Sequence, residues 1–136
     1  TARMQDYMGL YNALKLCQLV YGSVQIADVV GWLNAVTGWE MSMDEFLRAG
    51  ERLNNLKRMF NVRLGASRRD DVLPRRFVEA AFVEGGAKGF LPPLPAMLDE
   101  YYDFRGWDRN GIPTPAKLRE LGLGDEIADL PREKGN

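Results

Sequence analysis

Residues 42–60 read SMDEFLRAGERLNNLKRMF, and this stretch sets the fold class. Ser42 stands three positions before Glu45. In that pattern the hydroxyl accepts from the Glu45 amide while the Glu45 carboxylate reaches back to the Ser42 amide. Behind this start, Met43, Phe46, Leu47, Leu53, Leu56 and Phe60 recur at helical spacing. Asp44, Arg48, Glu51, Arg52, Asn55 and Arg58 take the other side. The period is that of an amphipathic helix, not of a strand.

Toward the N-terminus the same period continues. Met4 to Tyr21 is rich in Leu, Met and Tyr, contains no Pro, and runs to Gly22, a helix-stopping residue. Ser23 is placed to cap a second helix to about Val36, closed by Thr37-Gly38. Both helices are apolar over more than half their circumference and need burial on several sides. A chain this short has few fully buried positions. The pair is therefore either a central hairpin wrapped by later helices or a surface meant for another domain.

Toward the C-terminus the chain turns irregular. Asn61 to Arg76 holds five Arg against two Asp, and Pro74, Gly85-Gly86, Gly89 and Pro92-Pro93 punctuate the chain from there to the next helix. Phe77 to Val83 is compatible with a short helix or a strand. Leu94 to Arg105 reads as a helix with Pro95 in its first turn and Gly106 at its end. Thr114-Pro115 caps and opens another, stopped by Gly122, and the polar tail from Asp125 to Asn136 is expected to fray. The expected class is all-α: an irregular helical domain with long loops over residues 1–123, and a polar tail over 124–136.

Composition removes whole classes of function. The 136 residues are 46% apolar, 27% charged and 10% aromatic, an ordinary globular balance. Eighteen Lys and Arg face nineteen Asp and Glu, so no uniformly basic surface argues for nucleic acid. The absence of His excludes His-based metal sites and general bases from this chain. Val24 to Val36, the densest apolar run, is too short and too polar to cross a membrane, and no signal peptide opens the chain, so a cytoplasmic setting is expected. The chain opens at Thr1 rather than Met, a first pointer to a piece of a longer protein.

Few residues carry chemistry. Cys17 is the one soft ligand or thiol nucleophile, although a lone Cys on an apolar helix most often packs as a small hydrophobe. Asp70-Asp71 and Asp99-Glu100 have no companion at ligand spacing. Local pairing with Arg68 and Arg69 accounts for the first pair, and the helix dipole for the second. Gly85-Gly86-Ala87-Lys88-Gly89 lacks the ending of a phosphate loop, and Asp108 to Gly111 reads as a turn, not a calcium loop.

Longer strings say more. Gly50-Glu51-Arg52, Asn54-Asn55-Leu56, Phe60-Asn61-Val62-Arg63-Leu64-Gly65 and Arg69-Asp70-Asp71-Val72-Leu73-Pro74-Arg75-Arg76-Phe77 come in succession. Met97-Leu98-Asp99-Glu100-Tyr101-Tyr102, Arg105-Gly106-Trp107, Gly111-Ile112-Pro113-Thr114 and Leu121-Gly122-Leu123 complete the series. In this order, from about Leu14 to Leu123, they resemble the C-terminal end of the aldehyde ferredoxin oxidoreductase family of tungsten enzymes.

The resemblance implies helical C-terminal domains packed on a β-rich N-terminal domain. Between them it places a tungsten (or molybdenum) bis-pyranopterin beside a [4Fe-4S] cluster. It implies oxidation of an aldehyde to a carboxylic acid, with electrons leaving to ferredoxin. Three cluster cysteines come from an upstream Cys-x-x-Cys-x-x-x-Cys run, and the fourth from an Asp-x-x-Gly-Leu-Cys motif. Asn12-Ala13-Leu14-Lys15-Leu16-Cys17 occupies that motif: Leu16 and Cys17 match, while Asn12 stands for Asp and Lys15 for Gly. Cys17 is thus the implied metal ligand, with Asn12, Lys15 and Leu16 facing the cofactor. By this reading the 136 residues alone are not catalytic, hold no cofactor in isolation, partner the remaining domains of a parent chain, and self-associate when separated from them. The alternative is a non-catalytic helical interaction domain that kept the fold.

Overall fold

The computed structural model describes residues 1–131; residues 132–136, the end of the expected tail, lie outside the described residues. Six α-helices follow in chain order: α1 (Ala2–Ala13), α2 (Ile26–Thr37), α3 (Met43–Arg63), α4 (Arg75–Val78), α5 (Leu94–Arg105) and α6 (Pro115–Glu120). Tighter 3₁₀ turns occupy Gln18–Val20, Arg68–Asp70 and Gly124–Asp129. Pairing between extended segments is confined, among the described residues, to two isolated bridges, Phe82 with Lys88 and Trp107 with Pro113. The chain is all-α. No helix of the described residues is long and apolar enough to cross a membrane.

Local chemistry explains the ends. Ser42 Oγ accepts from the Glu45 amide at 3.2 Å, and Glu45 Oε2 accepts from the Ser42 amide at 2.8 Å. Thr114 Oγ1 accepts from the Lys117 amide at 3.3 Å and opens α6. Gly38 and Gly106 close α2 and α5 in the left-handed conformation. Two boundaries differ from the sequence reading. The first helix stops at Ala13 rather than at Tyr21, and the second is opened by Gln25, whose amide donates to Asp28 Oδ2 at 3.1 Å, rather than by Ser23. Phe77 and Val78 close a one-turn helix, and Phe82 enters a bridge, so the undecided stretch is divided between the two states.

The long α3 is the spine, and α1 lies against it. Their contact is close because Gly50 has no side chain: a Cβ there would sit 2.5 Å from the carbonyl oxygen of Asp6. One core joins Tyr7, Leu10 and Tyr11 of α1 to Val29 and Val30 of α2 and Phe46 of α3. A second joins Met59 of α3 to Leu118, Leu121 and Leu123, with Ile127 and Leu130 packed on it. The start of the tail expected to fray is thus a 3₁₀ turn folded back on α3.

Between the cores runs a buried polar seam. Arg105, fully buried, donates to Asp6 Oδ1 at 2.6 Å and to the Ala2 carbonyl at 3.0 Å. Arg58 grips both oxygens of Asp71 at 2.7 and 2.8 Å and donates to the Gly111 carbonyl at 2.7 Å. Trp107 Nε1 donates to Asn55 Oδ1 at 2.7 Å. The buried stripe of α3 is therefore Phe46, Gly50, Asn55, Arg58, Met59 and Val62, whereas Leu56 and Phe60, assigned inward by periodicity, are exposed.

Candidate functional site

The turn after α1 gathers every residue singled out by the Asp-x-x-Gly-Leu-Cys correspondence. The Leu16 amide donates to the Tyr11 carbonyl at 2.9 Å, and the Lys15 amide to the Asn12 carbonyl at 3.2 Å. This pair of hydrogen bonds to the last helical turn requires its central residue in the left-handed region, the usual seat of glycine. Lys15 takes it, with φ of +61°, the one non-glycine among the described residues to do so. An L-residue with a side chain costs roughly 1–2 kcal/mol there. Leu14 and Leu16 pack on the core of Tyr7, Tyr11, Val29 and Val30 and hold the strained residue from both sides.

Cys17 follows with extended backbone, φ −70° and ψ 124°, and an exposed side chain. Asn12 Oδ1 accepts from Gln18 Nε2 at 2.8 Å, which ties the helix end to the residue after the cysteine. The turn thus presents Asn12, Lys15 and Cys17 outward and directs Leu16 inward.

A separate cleft of about 440 Å³, lined by none of Asn12–Cys17, is bounded by Arg3, Met4 and Tyr7 of α1, by Tyr21 and Val24, and by Ile26 at the start of α2. The Tyr7 hydroxyl donates to that of Tyr11 at 2.9 Å, and their rings meet edge to face at 4.8 Å. Burial, then that hydrogen bond, pushes the Tyr7 phenol well above its ordinary value, so it stays neutral.

The acidic pairs do not converge. Asp70 accepts from the Ser67 amide at 2.9 Å and faces Arg69 at 3.5 Å, a local pairing. Asp71 is instead held by Arg58, with Tyr102 donating to it at 2.5 Å. Asp99 meets Arg68 at 2.5 Å, and that hydrogen bond holds its carboxyl below the ordinary value. Asp108 Oδ1 accepts from the amides of Asn110 and Ile112 at 2.8 and 2.9 Å, the bonding of a turn. Among the described residues no three His, Cys, Asp or Glu side chains cluster where a metal ion could sit. The sequence reading also passed over an apolar cup of about 540 Å³ lined by Leu73, Phe77, Phe82, Phe90, Leu91 and Pro93. Its signal was the density of Phe within a segment otherwise read as loop.

The donor chemistry fits one corner of a thiolate-held cluster. One exposed thiol stands on a braced turn, and neither a second Cys nor any His exists in the chain to complete a set. Cys17 is the one thiol that could serve as a soft metal ligand, and Asn12 and Lys15 are exposed polar groups beside it.

The family described as aldehyde ferredoxin oxidoreductase, domains 2 and 3, matches residues 1–123. The tungsten-containing aldehyde ferredoxin oxidoreductase of Pyrococcus horikoshii is 39% identical over 120 residues, 88% of this chain and 20% of that protein. The WOR-like subunit of an aliphatic sulfonate oxidoreductase from Pyrococcus furiosus is 29% identical over 133 residues, 91% of this chain and 21% of that protein. Among solved structures, the active site complex BamBC of benzoyl coenzyme A reductase with 1,5-dienoyl-CoA is similar, with a TM-score of 0.63 and 31% identity over 78% of this chain and 15% of that one. The chain spans about a fifth of the length of the curated relatives it matches. With the turn, the helical spine and the match in agreement from Thr1 to Leu123, the chain belongs to the aldehyde ferredoxin oxidoreductase family, in the region of its domains 2 and 3.

Proposed function

We propose that this chain serves as the C-terminal helical part of a longer, cytoplasmic oxidoreductase of the aldehyde ferredoxin oxidoreductase type, and that Cys17 supplies one of four ligands to its [4Fe-4S] cluster. A tungsten (or molybdenum) bis-pyranopterin bound in the longer enzyme would supply the chemistry for oxidising an aldehyde to a carboxylic acid, and a [4Fe-4S] cluster held in part by Cys17 would supply the exit for electrons to a ferredoxin acceptor. The chain's own contribution is position. Leu14 and Leu16 anchor the turn in the core, so the Cys17 thiol is offered at a fixed place on the surface. Asn12 presents an amide where the family has a carboxylate, and Lys15 presents an ammonium.

The observation that carries this reading is the exposed thiol on a braced, non-helical turn inside a matched family region. The test is Cys17→Ser in the complete enzyme. The expected result is loss of cluster iron and of its low-temperature paramagnetic signal with folding retained. Wild-type iron content and turnover overturn it.

A second reading, a non-catalytic helical interaction domain, is favoured by one feature: Asn12 and Lys15 replace the family's Asp and Gly. Purified complete protein with no tungsten, molybdenum or iron supports that reading instead.

A further inference from the structure

Lys15 strains the fold and makes no ion pair in return. It sits at φ of +61°, a conformation that disfavours any side chain. Among the described residues no carboxylate lies within ion-pair distance of its ammonium. Lys117 shows the contrast: its Nζ meets Glu51 at 3.1 Å and Glu120 at 2.9 Å. A strained residue that its surroundings hold in place, without gain to the fold, points to a role outside the fold.

The charge of Lys15 is also unopposed locally. From Tyr7 to Ala27 it is the one formally charged residue. Beyond that stretch, Asp6 is bound by Arg105, and Asp28 caps the start of α2. The core on which the turn rests, Tyr7, Leu10, Tyr11, Val29, Val30 and Phe46, is uncharged.

Its place relative to Cys17 is set by the backbone. Two residues of chain span at most about 7 Å between Cα atoms. Leu14 and Leu16, packed on the core, fix the chain on both sides of Lys15. Lys15 and Cys17 are both exposed. A charge so close along the chain acts at a separation comparable with the roughly 8–10 Å over which salt screens it.

We infer that Lys15 raises the reduction potential of the cluster held in part by Cys17. This rests on the reading of Cys17 as a cluster ligand. Each electron taken up adds one negative charge to the cluster, and a cation beside it favours the reduced form. No bond forms or breaks, and no proton moves. Lys15 acts through its field alone. At roughly 10 Å and an effective dielectric constant of about 20, one unit charge shifts such an equilibrium by about tenfold.

The test is a redox titration of the purified full-length holoenzyme, followed by the cluster's low-temperature paramagnetic signal. Lys15→Met keeps a long side chain and the strained backbone but removes the charge. Its reduction constant is expected to fall about tenfold, a midpoint about 59 mV more negative for a one-electron couple. Lys15→Gly, which relieves the strain, gives the same fall and guards against a folding defect. Lys15→Arg keeps the charge and stays within about twofold of the unsubstituted enzyme. Raised ionic strength narrows the gap between Lys15→Met and the unsubstituted enzyme. Midpoints of Lys15→Met and Lys15→Gly within twofold of the unsubstituted enzyme overturn the inference. So does an equal fall in Lys15→Arg, which assigns the effect to shape rather than charge. Failure of the cluster assignment is read separately, as unchanged iron in Cys17→Ser.

Discussion

The guanidinium of Arg105 meets the carboxylate of Asp6 at 2.6 Å with no part of the arginine side chain reaching solvent, and so joins α5 to α1 across 99 residues of sequence. Its other two nitrogens are also engaged: Nη2 with the Ala2 carbonyl and Gln5 Oε1, both at 3.0 Å, and Nε with the Tyr101 hydroxyl at 3.1 Å. Asp6 Oδ1 additionally accepts from Asn54 Nδ2 at 2.8 Å, which brings α3 into the same knot.

Asp6→Ala strands that buried cation and is expected to cost about 3–5 kcal/mol. Replacing both partners by apolar residues, Asp6→Leu with Arg105→Met, recovers much of the loss because no charge is left unpaired. Urea unfolding of the two single variants and the double variant measures it. An additive double variant is the contrary result.

Lys15→Gly is expected to stabilise the fold by about 1 kcal/mol, since it relieves a side chain held at positive φ. Lys15→Ala retains the strain and leaves stability nearly unchanged. The midpoint of urea unfolding at constant slope is the readout. Equal midpoints for the Gly and Ala variants contradict the strain.

Acid lability follows from three carboxylates. Glu45 is held low by the Ser42 amide, Asp70 by the Ser67 amide, and Asp99 by Arg68. A depressed folded pKa gives stability that is fully present above the unfolded value, about 4, and is lost as pH falls through the folded value. Melting temperature is therefore flat down to about pH 5 and declines below about pH 4. Glu45→Gln and Asp99→Asn each shallow that decline.

At the alkaline end the sign reverses. Burial, then hydrogen bonds to Tyr11 and Asp71 respectively, raises the phenols of Tyr7 and Tyr102. A raised folded pKa stabilises below the unfolded value of about 10 and loses that stabilisation as pH rises. Ultraviolet titration at about pH 11 is expected to show part of the five tyrosines still protonated, with the remainder ionising together with unfolding. Five phenols titrating as a single free population is the contrary outcome.

What was legible in the sequence was local. The Ser42–Glu45 box, Pro95 and Gly106 around α5, and Thr114-Pro115 before α6 all act within a few residues, and each element stands where its signals put it. The end of α1 was misplaced because its stop is a lysine in a glycine's conformation. No rule that looks for Gly sees it. The polar residues on the buried stripe of α3 were misassigned because their partners are remote: Asn55 answers Trp107, and Arg58 answers Asp71 and Gly111. At the candidate site, the motif singled out Asn12–Cys17, but the period put that stretch inside a helix, and that it is a turn is a finding of the structure. The bracing of Leu16 against a core shared with α2 is a tertiary fact that spacing does not contain.

The stretch from Val72 to Pro93 leaves the body at one arginine-held point and returns at another. Asp71 is fastened by Arg58, and Pro95, whose carbonyl accepts from Arg68 at 3.0 Å, begins the return beside Asp99. Neither core draws on residues between those pins. That makes the excursion, with its Phe-lined cup, a cassette. Its length and composition can be exchanged at little cost to the scaffold, since doubling a loop adds only about 0.6 kcal/mol of closure entropy. Grafting by design has its natural place there, between Phe77 and Leu94, past the string that carries the family resemblance.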